Sequence, residues 1–337
     1  MLALPKVSIA LCTYNGERFL EAQLHSIASQ THLPDELVIC DDISTDYTLS
    51  IVEKFTKTAP FEVKVIVNEK RLGVTKNFEK ALTLCAGDLL FLSDQDDIWE
   101  SDKVATFVKY FALKPSVNVF FSDALLVDQN AQSLHKTFWE VVRLTPKQQK
   151  KWHRGQSICL MLMGNRVAGC MMALRKEFLE KVLPFPTDIP EFLHDTWIAF
   201  VASVMGQIEA IPLPLVQYRQ HEGQQVGAKS KNLPLLTWQE RLARPHAEKL
   251  RPLQKKQQEL SILYEYLEGV IPKDNQNMKV VAQKLEFLTT RATLPDNHWK
   301  RILPVLGQCF KGNYARFADQ DATTLTVLTT ILGDLIE

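Results

Sequence analysis

One stretch, Asp88-Leu-Leu-Phe-Leu-Ser-Asp94-Gln-Asp96-Asp97-Ile-Trp99, restricts the fold of this chain more than any other. Its first half, Leu89 to Leu92, is an uninterrupted apolar run, the pattern of a strand buried on both faces. Its second half gathers Asp94, Asp96 and Asp97 just past the end of that strand. A strand that runs into clustered acids presents hard oxygen ligands at a C-terminal strand edge, where open α/β sheets bind their ligands. Paired carboxylates of this kind suit Mg²⁺ or Mn²⁺ held jointly with substrate phosphates. The competing reading is a solvated acidic turn in which Asp96 or Asp97 caps the helix that follows.

The segments around it repeat the design. Val7 to Thr13 reads as a strand, Tyr14-Asn15-Gly16 as a turn, and Glu17 to Gln30 as a helix by the spacing of Phe19, Leu20, Leu24 and Ile27. Glu36 to Asp42 is a second strand ending in acids, and Ser44-Thr45-Asp46 caps a helix running to about Thr58. Val63 to Asn68, a helix over Lys76 to Cys85, a helix over Asp102 to Leu113 and a strand over Val117 to Asp123 continue the alternation. Strands alternating with helices predict an α/β fold with a mostly parallel sheet and right-handed crossovers. Residues 130–157 read as polar and irregular. Asn165 to Leu174 is strand-like, Lys176 to Val182 helical, and Pro184, Pro186 and Pro190 mark a loop. His194-Asp195-Thr196-Trp197 opens a helix to Met205, and Ile208 to Tyr218 is extended, leading into Arg219-Gln220-His221.

Beyond 228 the composition shifts to Lys, Arg, Glu, Gln and Leu at helical spacing, most clearly between Leu236 and Leu267. The predicted division is therefore residues 1–227 as the ligand-binding domain and 228–337 as an α-helical extension. At 337 residues the chain is long for one domain, which fits this division. Lys plus Arg and Asp plus Glu both number 39, so no basic field draws in nucleic acid. Phosphate on a ligand must then be met by local groups or a metal. The six cysteines show no CxxC spacing, which reads as a reducing compartment and no zinc site. No signal-like leader and no apolar run of about 18 residues is read, so the expectation is a cytoplasmic protein without a membrane span.

The acids at Asp41-Asp42 and at Asp94 to Asp97 follow two strands that a parallel sheet can bring to one crevice. A carboxylate there can accept a hydrogen bond from a base or a ribose, and the second set can hold a metal against a diphosphate. Neither GxGxxG after the first strand nor GxxxxGK[ST] occurs, which argues against dinucleotide-dependent oxidoreduction and P-loop hydrolysis. Asp195, at a predicted helix start, is a candidate general base, with a plain helix cap as the alternative. His221 is a candidate metal ligand or diphosphate contact, although an isolated His is more often structural. Trp99, beside the acids, is a candidate pocket wall.

Taken together and in order, five segments resemble the family 2 inverting glycosyltransferases of GT-A fold over about residues 5–227. Val7 through Gly16 resembles that family's first strand and turn. Asp41-Asp42-Ile-Ser-Thr-Asp46 resembles its DDxSxD nucleotide motif, and Asn68 through Arg71-Leu-Gly73 to Asn77 its N-x-G-x-x-x-N segment. Asp94-Gln-Asp96-Asp97 resembles the DxD metal motif, and His194-Asp195-x-Trp197 the catalytic-base motif. The Asp-Gln-Asp-Asp-Ile-Trp form, with Tyr218-Arg-Gln-His221-x-Gly223, is similar to a bacterial branch that builds rhamnose-containing and related surface polysaccharides.

The resemblance implies a role for each matching residue. Asp42 would meet a pyrimidine base, with Thr13, Tyr14 and Asn15 lining that pocket and Arg71 and Asn77 belonging to the nucleotide-sugar site. Asp94 would face the sugar or ribose, Asp96 would ligate Mg²⁺ or Mn²⁺, and Asp97 would support it. His221 would contact metal or phosphate, and Asp195 would be the base. Gly169-Cys170 falls in the region near the acceptor or donor sugar. His194 departs from the family's usual Glu and changes the charge around Asp195. The implied activity is inverting, metal-dependent transfer from a dTDP- or UDP-linked sugar, rhamnose among the candidates, to a hydroxyl of a growing cell-surface polysaccharide or lipid-linked saccharide. Two other readings stand beside it. A nucleotide-sugar-binding subunit with weak catalysis draws on the His194 departure. A nucleotidyltransferase lacks the Gly-rich loop it needs after the first strand. The helical C-terminal region is open to three uses: homodimerisation, docking of a partner, or peripheral association with the cytoplasmic face of the inner membrane.

Overall fold

The computed structural model describes residues 4–189, 192–222, 245–272, 274–318 and 322–336. Pro190, Gly223, the expected division at 227/228 and the start of the helical run at Leu236 lie outside these residues. The chain forms two compact units, residues 1–157 with 165–230 and residues 158–164 with 231–337.

In the first unit, β1 (Val7–Thr13), β2 (Glu36–Asp41), β3 (Glu62–Val67) and β4 (Leu89–Ser93) are parallel and lie in the order β3-β2-β1-β4. Every residue of β1, β2 and β4 is buried, which explains why their sequences are continuous apolar runs instead of alternating ones. The helices between them supply the covering layers. α1 (Leu20–Ala28) buries Leu20, Gln23, Leu24 and Ile27, an i, i+3, i+4, i+7 face, and α2 (Thr48–Thr56) buries Thr48, Val52 and Phe55. α3 (Val74–Leu84) packs on β1 and β2. Register sets Thr13 beside Asp41 and Leu11 beside Ser93, so the loops leaving β1, β2 and β4 emerge together at one sheet edge.

After β5 (Ile98–Trp99) and α4 (Lys103–Leu113) come β6 (Val119–Val127), β8 (Met172–Arg175), α8 (Lys176–Val182), α9 (His194–Met205) and β9 (Ile208–Arg219). The sheet continues β4-β8-β6-β9-β5. β8 runs antiparallel to both β4 and β6, while β9 is parallel to β6. Residues 130–157, expected to be irregular, contain β7 (Ser133–Thr137), α5 (Phe138–Val141) and α6 (Pro146–Lys151), leading to α7 (Ser157–Met161). β7 escapes a pattern search because it is a mostly exposed strand on β6 and has no apolar face to bury. α5 does carry a readable signal, a capping box between Thr137 and Glu140.

The second unit is helical: α10 (His246–Val270), α11 (Gln276–Ala292), α12 (His298–Phe310), α13 (Asn313–Arg316) and α14 (Thr324–Ile336). Phe287, Leu294, Val305, Tyr314 and Phe317 form its core. Arg291 meets Asp334 with two hydrogen bonds, 2.6 and 3.0 Å, and the Tyr314 hydroxyl donates to the same carboxylate at 2.6 Å. Among the described residues no helix is long and apolar enough to cross a membrane.

Candidate active site

The loops at the β1, β2 and β4 ends are stitched together by their own polar side chains. Asn15 accepts from the Thr45 N–H through Oδ1, at 2.8 Å, and donates its backbone N–H to Ser44 Oγ at 2.9 Å. Gln95, the residue between the first two acids, closes a two-point clasp on Tyr14: Tyr14 N–H donates to Oε1 at 2.9 Å and Nε2 donates to Tyr14 O at 3.0 Å. Thr13 Oγ1 donates to Asp41 at 2.7 Å. The Arg71 guanidinium lies 3.8 Å from the centre of the Tyr14 ring, a cation–π contact that joins two residues 57 positions apart in sequence.

Asp42 is buried at the end of β2. It accepts from Asn68 Nδ2 (2.9 Å) and from the backbone N–H groups of Leu72 (2.7 Å) and Gly73 (2.9 Å). Asn77 stands behind it, accepting from Asn68 Nδ2 and donating to Cys40 O, so its amide reaches the loop edge through Asn68 and Asp42. Gly73 has a φ of +77°, a backbone that favours glycine and lets its N–H turn to Asp42.

The β4 acids form the centre. Ligand atoms of Asp94, Asp97 and Cys170 all lie within 4.8 Å of one another. Burial raises the Asp94 pKa well above the usual carboxylate range, and the charges of Asp96, Asp97 and Asp195 raise it further. Burial likewise pushes Asp97 up to about 7, with Asp96 adding to it. The Cys170 thiol is pushed up by burial and by these same acids, so it stays protonated and hydrogen-bonds to them. Asp96 meets His221, with Nε2 2.8 Å from Oδ2. β9 is tied to this loop: Arg219 N–H donates to Asp97 Oδ1 at 3.1 Å and Arg219 Nε to Asp96 O at 2.7 Å.

Asp195 enters from the first turn of α9. Its Oδ2 accepts the Gly169 N–H at 3.0 Å, its Oδ1 accepts the Thr196 N–H at 2.6 Å, and Leu193, not Asp195, is the N-cap. His194 turns inward. Its ring stacks on Phe78 at 4.1 Å, neither ring nitrogen has a hydrogen-bond partner, and burial lowers its pKa to about 4 in spite of the Asp195 charge. The family's usual Glu is thus replaced by a neutral imidazole. A Cβ on Gly169 would lie 3.1 Å from His194 Nε2 and 3.5 Å from the Asp195 Cβ, so the backbone approaches this helix start closely only because residue 169 is glycine.

Trp99, expected at a pocket wall, is buried against Phe91, with Lys103 Nζ 3.5 Å above its ring. Lys103 was not among the expected site residues. It is fully buried, donates to Cys170 O at 2.6 Å, and has its pKa lowered to about 7 by burial while Cys170, Asp97 and Asp94 hold it up. Nothing in its local sequence, at the start of an ordinary amphipathic helix, marks it as different from a solvated lysine. The resemblance assigns no role to Gln95 or Arg219, although both sit inside the quoted motifs.

The donor chemistry fits a hard divalent cation: clustered, mutually repelling buried carboxylates gain from a compensating 2+ charge. Asp96 and His221, the expected metal ligands, are in contact with each other, whereas the ligand atoms that lie together within 4.8 Å are those of Asp94, Asp97 and Cys170.

A doubly covered α/β sheet with acids at its C-terminal edge is the nucleotide-sugar-binding architecture of the GT-A class, with a helical C-terminal region added. Residues 8–183, more than half of the chain, match the model for Glycosyl transferase family 2, and the chain belongs to that family. It is 25% identical over 221 residues to an uncharacterized glycosyltransferase, alr2836, of Nostoc sp., covering 64% of this chain. It spans 65% of that relative, less than two thirds of its length. It is 29% identical over 238 residues to the dTDP-rhamnosyl transferase RfbG of Shigella flexneri, covering 65% of this chain and 74% of that one. The mannosyltransferase PcManGT from Pyrobaculum calidifontis, solved in complex with GDP-Man and Mn²⁺, shares the fold at a TM-score of 0.52. It is 19% identical, with 99% of this chain and 86% of that chain covered.

Proposed function

We propose that this protein is an inverting glycosyltransferase. It moves a sugar from a dTDP- or UDP-linked donor, rhamnose being the leading candidate, to a hydroxyl of a cell-surface polysaccharide or lipid-linked saccharide. The observation that carries the reading is that Asp195 accepts the Gly169 N–H at 3.0 Å, and the next residue, Cys170, has its thiol within 4.8 Å of the Asp94 and Asp97 ligand atoms. A base beside a diphosphate-binding acid cluster is what single displacement at an anomeric carbon requires. The name of the Shigella relative supports the donor class, and family membership supports the reaction.

In this reading Asp42 and the Tyr14–Arg71 pair receive the base, and Asp94 orients the sugar or ribose. Asp96 and His221 would hold Mg²⁺ or Mn²⁺, which offsets charge on the departing diphosphate. Asp195 takes the proton from the acceptor hydroxyl as its oxygen attacks C1. The new C1–O bond forms on the face opposite the leaving group, the old C1–O bond to the diphosphate breaks, and the nucleoside diphosphate leaves with that electron pair. Configuration inverts, and no covalent enzyme intermediate is needed. The neutral, buried His194 puts no second negative charge next to Asp195. We place this chemistry in the sheet-bearing domain, residues 1–227, and none of it in the helical extension. A cytoplasmic site of action belongs to the same proposal.

The test is a panel of nucleoside-diphosphate sugars assayed for binding and turnover with and without Mn²⁺ or Mg²⁺. One donor should turn over only with metal, and Asp96→Ala should lose the metal-dependent part of binding, about tenfold or more. Failure of the wild type to bind any nucleotide sugar under either condition sinks the proposal.

A further inference from the structure

We infer that the second unit presents a self-complementary surface on α12 and α14 through which two copies of this chain associate. On α12, Trp299, Leu303, Leu306 and Phe310 follow the i, i+4, i+7, i+11 spacing of a single stripe, and three of them are 81%, 81% and 89% exposed (Trp299, Leu303 and Phe310). On α14, Leu325, Leu328, Leu332 and Ile336 form a second exposed stripe at i, i+3, i+7, i+11. Neither stripe is the core face of its helix. α12 turns Val305 into the core and Gln308 to Thr290 of α11 at 2.9 Å, and α14 turns Asp334 to Arg291 of α11. The two helices pack on each other, with His298 Nδ1 3.2 Å from Leu335 O. Both stripes therefore lie opposite the contacts to α11, on two helices that touch each other.

The size of this face decides that it is a docking surface. Two aromatic side chains at about 150–250 Å² each, with six partly exposed aliphatic ones, put roughly 1,000 Å² of apolar surface there. A typical monomer keeps its largest apolar patch to about 300–600 Å². A stable pair of proteins covers about 800 Å² on each partner, so this face alone is large enough for one.

Charge identifies the occupant as a second copy. A helix face built for lipid carries rows of Lys and Arg beside its apolar stripe. Here the α14 stripe is flanked by Thr326 and Thr329. On α12 Lys300 is the exposed cation within the helix, and Lys311 just beyond it is paired with Glu286. Acids are equally sparse: α12 has none, and Asp334, the one acid of α14, is bound by Arg291. A face with almost no charge of either sign meets its own copy about a twofold axis without like-charge repulsion. Leucine at coiled-coil-like spacing then lets stripe pack on stripe.

The experiment is light scattering coupled to gel filtration, with sedimentation velocity from submicromolar to tens of micromolar protein. The wild type should have twice the mass of one chain. Leu303→Glu with Phe310→Glu on α12, and separately Leu328→Glu with Leu332→Glu on α14, should halve it, with an unchanged far-UV circular dichroism spectrum and unchanged donor binding. Should either double variant misfold, wild-type hydrogen exchange gives the answer. Peptides covering 298–310 and 324–336 should exchange more slowly at high protein concentration than at low. A wild type that stays monomeric overturns the inference, including one that instead floats with phosphatidylethanolamine–phosphatidylglycerol vesicles through these residues. So does a dimer that survives both variants, or exchange in these peptides that does not depend on concentration.

Discussion

Single residues in this protein carry two kinds of load, and the two separate by experiment. Glu36 is structural. Burial works against its charge, but hydrogen bonds from Lys64 Nζ (2.6 Å), Ser8 Oγ and the Ala86 N–H outweigh it and hold its pKa below the ordinary 4.5. A carboxylate depressed in the folded state stabilises fully above its unfolded pKa, and that contribution is lost as pH falls through the folded value. Glu36→Gln should therefore cost about 1–3 kcal/mol in urea unfolding at pH 7, shrinking below pH 4 as the wild type loses the same interaction. A cost that is the same at both pH values contradicts this account. Gly169 is a positioning residue in the proposed reaction. Gly169→Ala places a methyl within 3.1 Å of His194 Nε2, which has Phe78 stacked on its ring and little room to retreat. The start of α9 must shift, and Asp195 with it. Turnover should fall about tenfold to a hundredfold with donor KM nearly constant, since misplacement of a reacting group acts on the chemical step. A rise in KM alone would place Asp195 in donor binding instead.

At the level of elements, the parallel strands and the helices that cover them are legible in the sequence. Their apolar runs have the right length and are bounded by turn residues, although the N-cap of α2 is Tyr47, with Asp46 one residue earlier accepting from the Thr48 N–H at 3.0 Å. Long-range pairing is not legible. β8 carries only four residues and slots antiparallel between β4 and β6, a placement fixed by partners about 80 and 50 positions away in the chain. Trp99 and Lys103 pack on each other for the same reason, since the Lys103 ammonium is met by Cys170 O, brought in from the turn before β8. The acids of the site were readable because strand ends advertise them, whereas the Gln95 clasp was hidden inside a motif where only the acids draw notice. Gln95→Ala removes both hydrogen bonds to Tyr14 and frees the loop after β1. Donor KM should rise about threefold to tenfold while turnover at saturation changes less, because ordering the loop then falls to the donor. An unchanged KM would show that the loop is held by Asn15 and Ser44 alone.

For the molecule as a whole, the sheet's edge gathers three loops and one helix start, and chemistry is possible only where all four meet. Asp195, on a helix more than 90 residues beyond the acids, is tied to Gly169, next to the Cys170 that lies among them, so one carboxylate tests the entire arrangement. The most direct measurement is donor binding by calorimetry and sugar transfer by single turnover, with the identified donor and metal, for the wild type and for Asp195→Asn. The account predicts donor affinity within about threefold of the wild type and transfer slowed about 10²–10⁴-fold, the usual loss when a general base is removed. Transfer by Asp195→Asn at the wild-type rate would contradict it, leaving the carboxylate as a structural tie between α9 and Gly169.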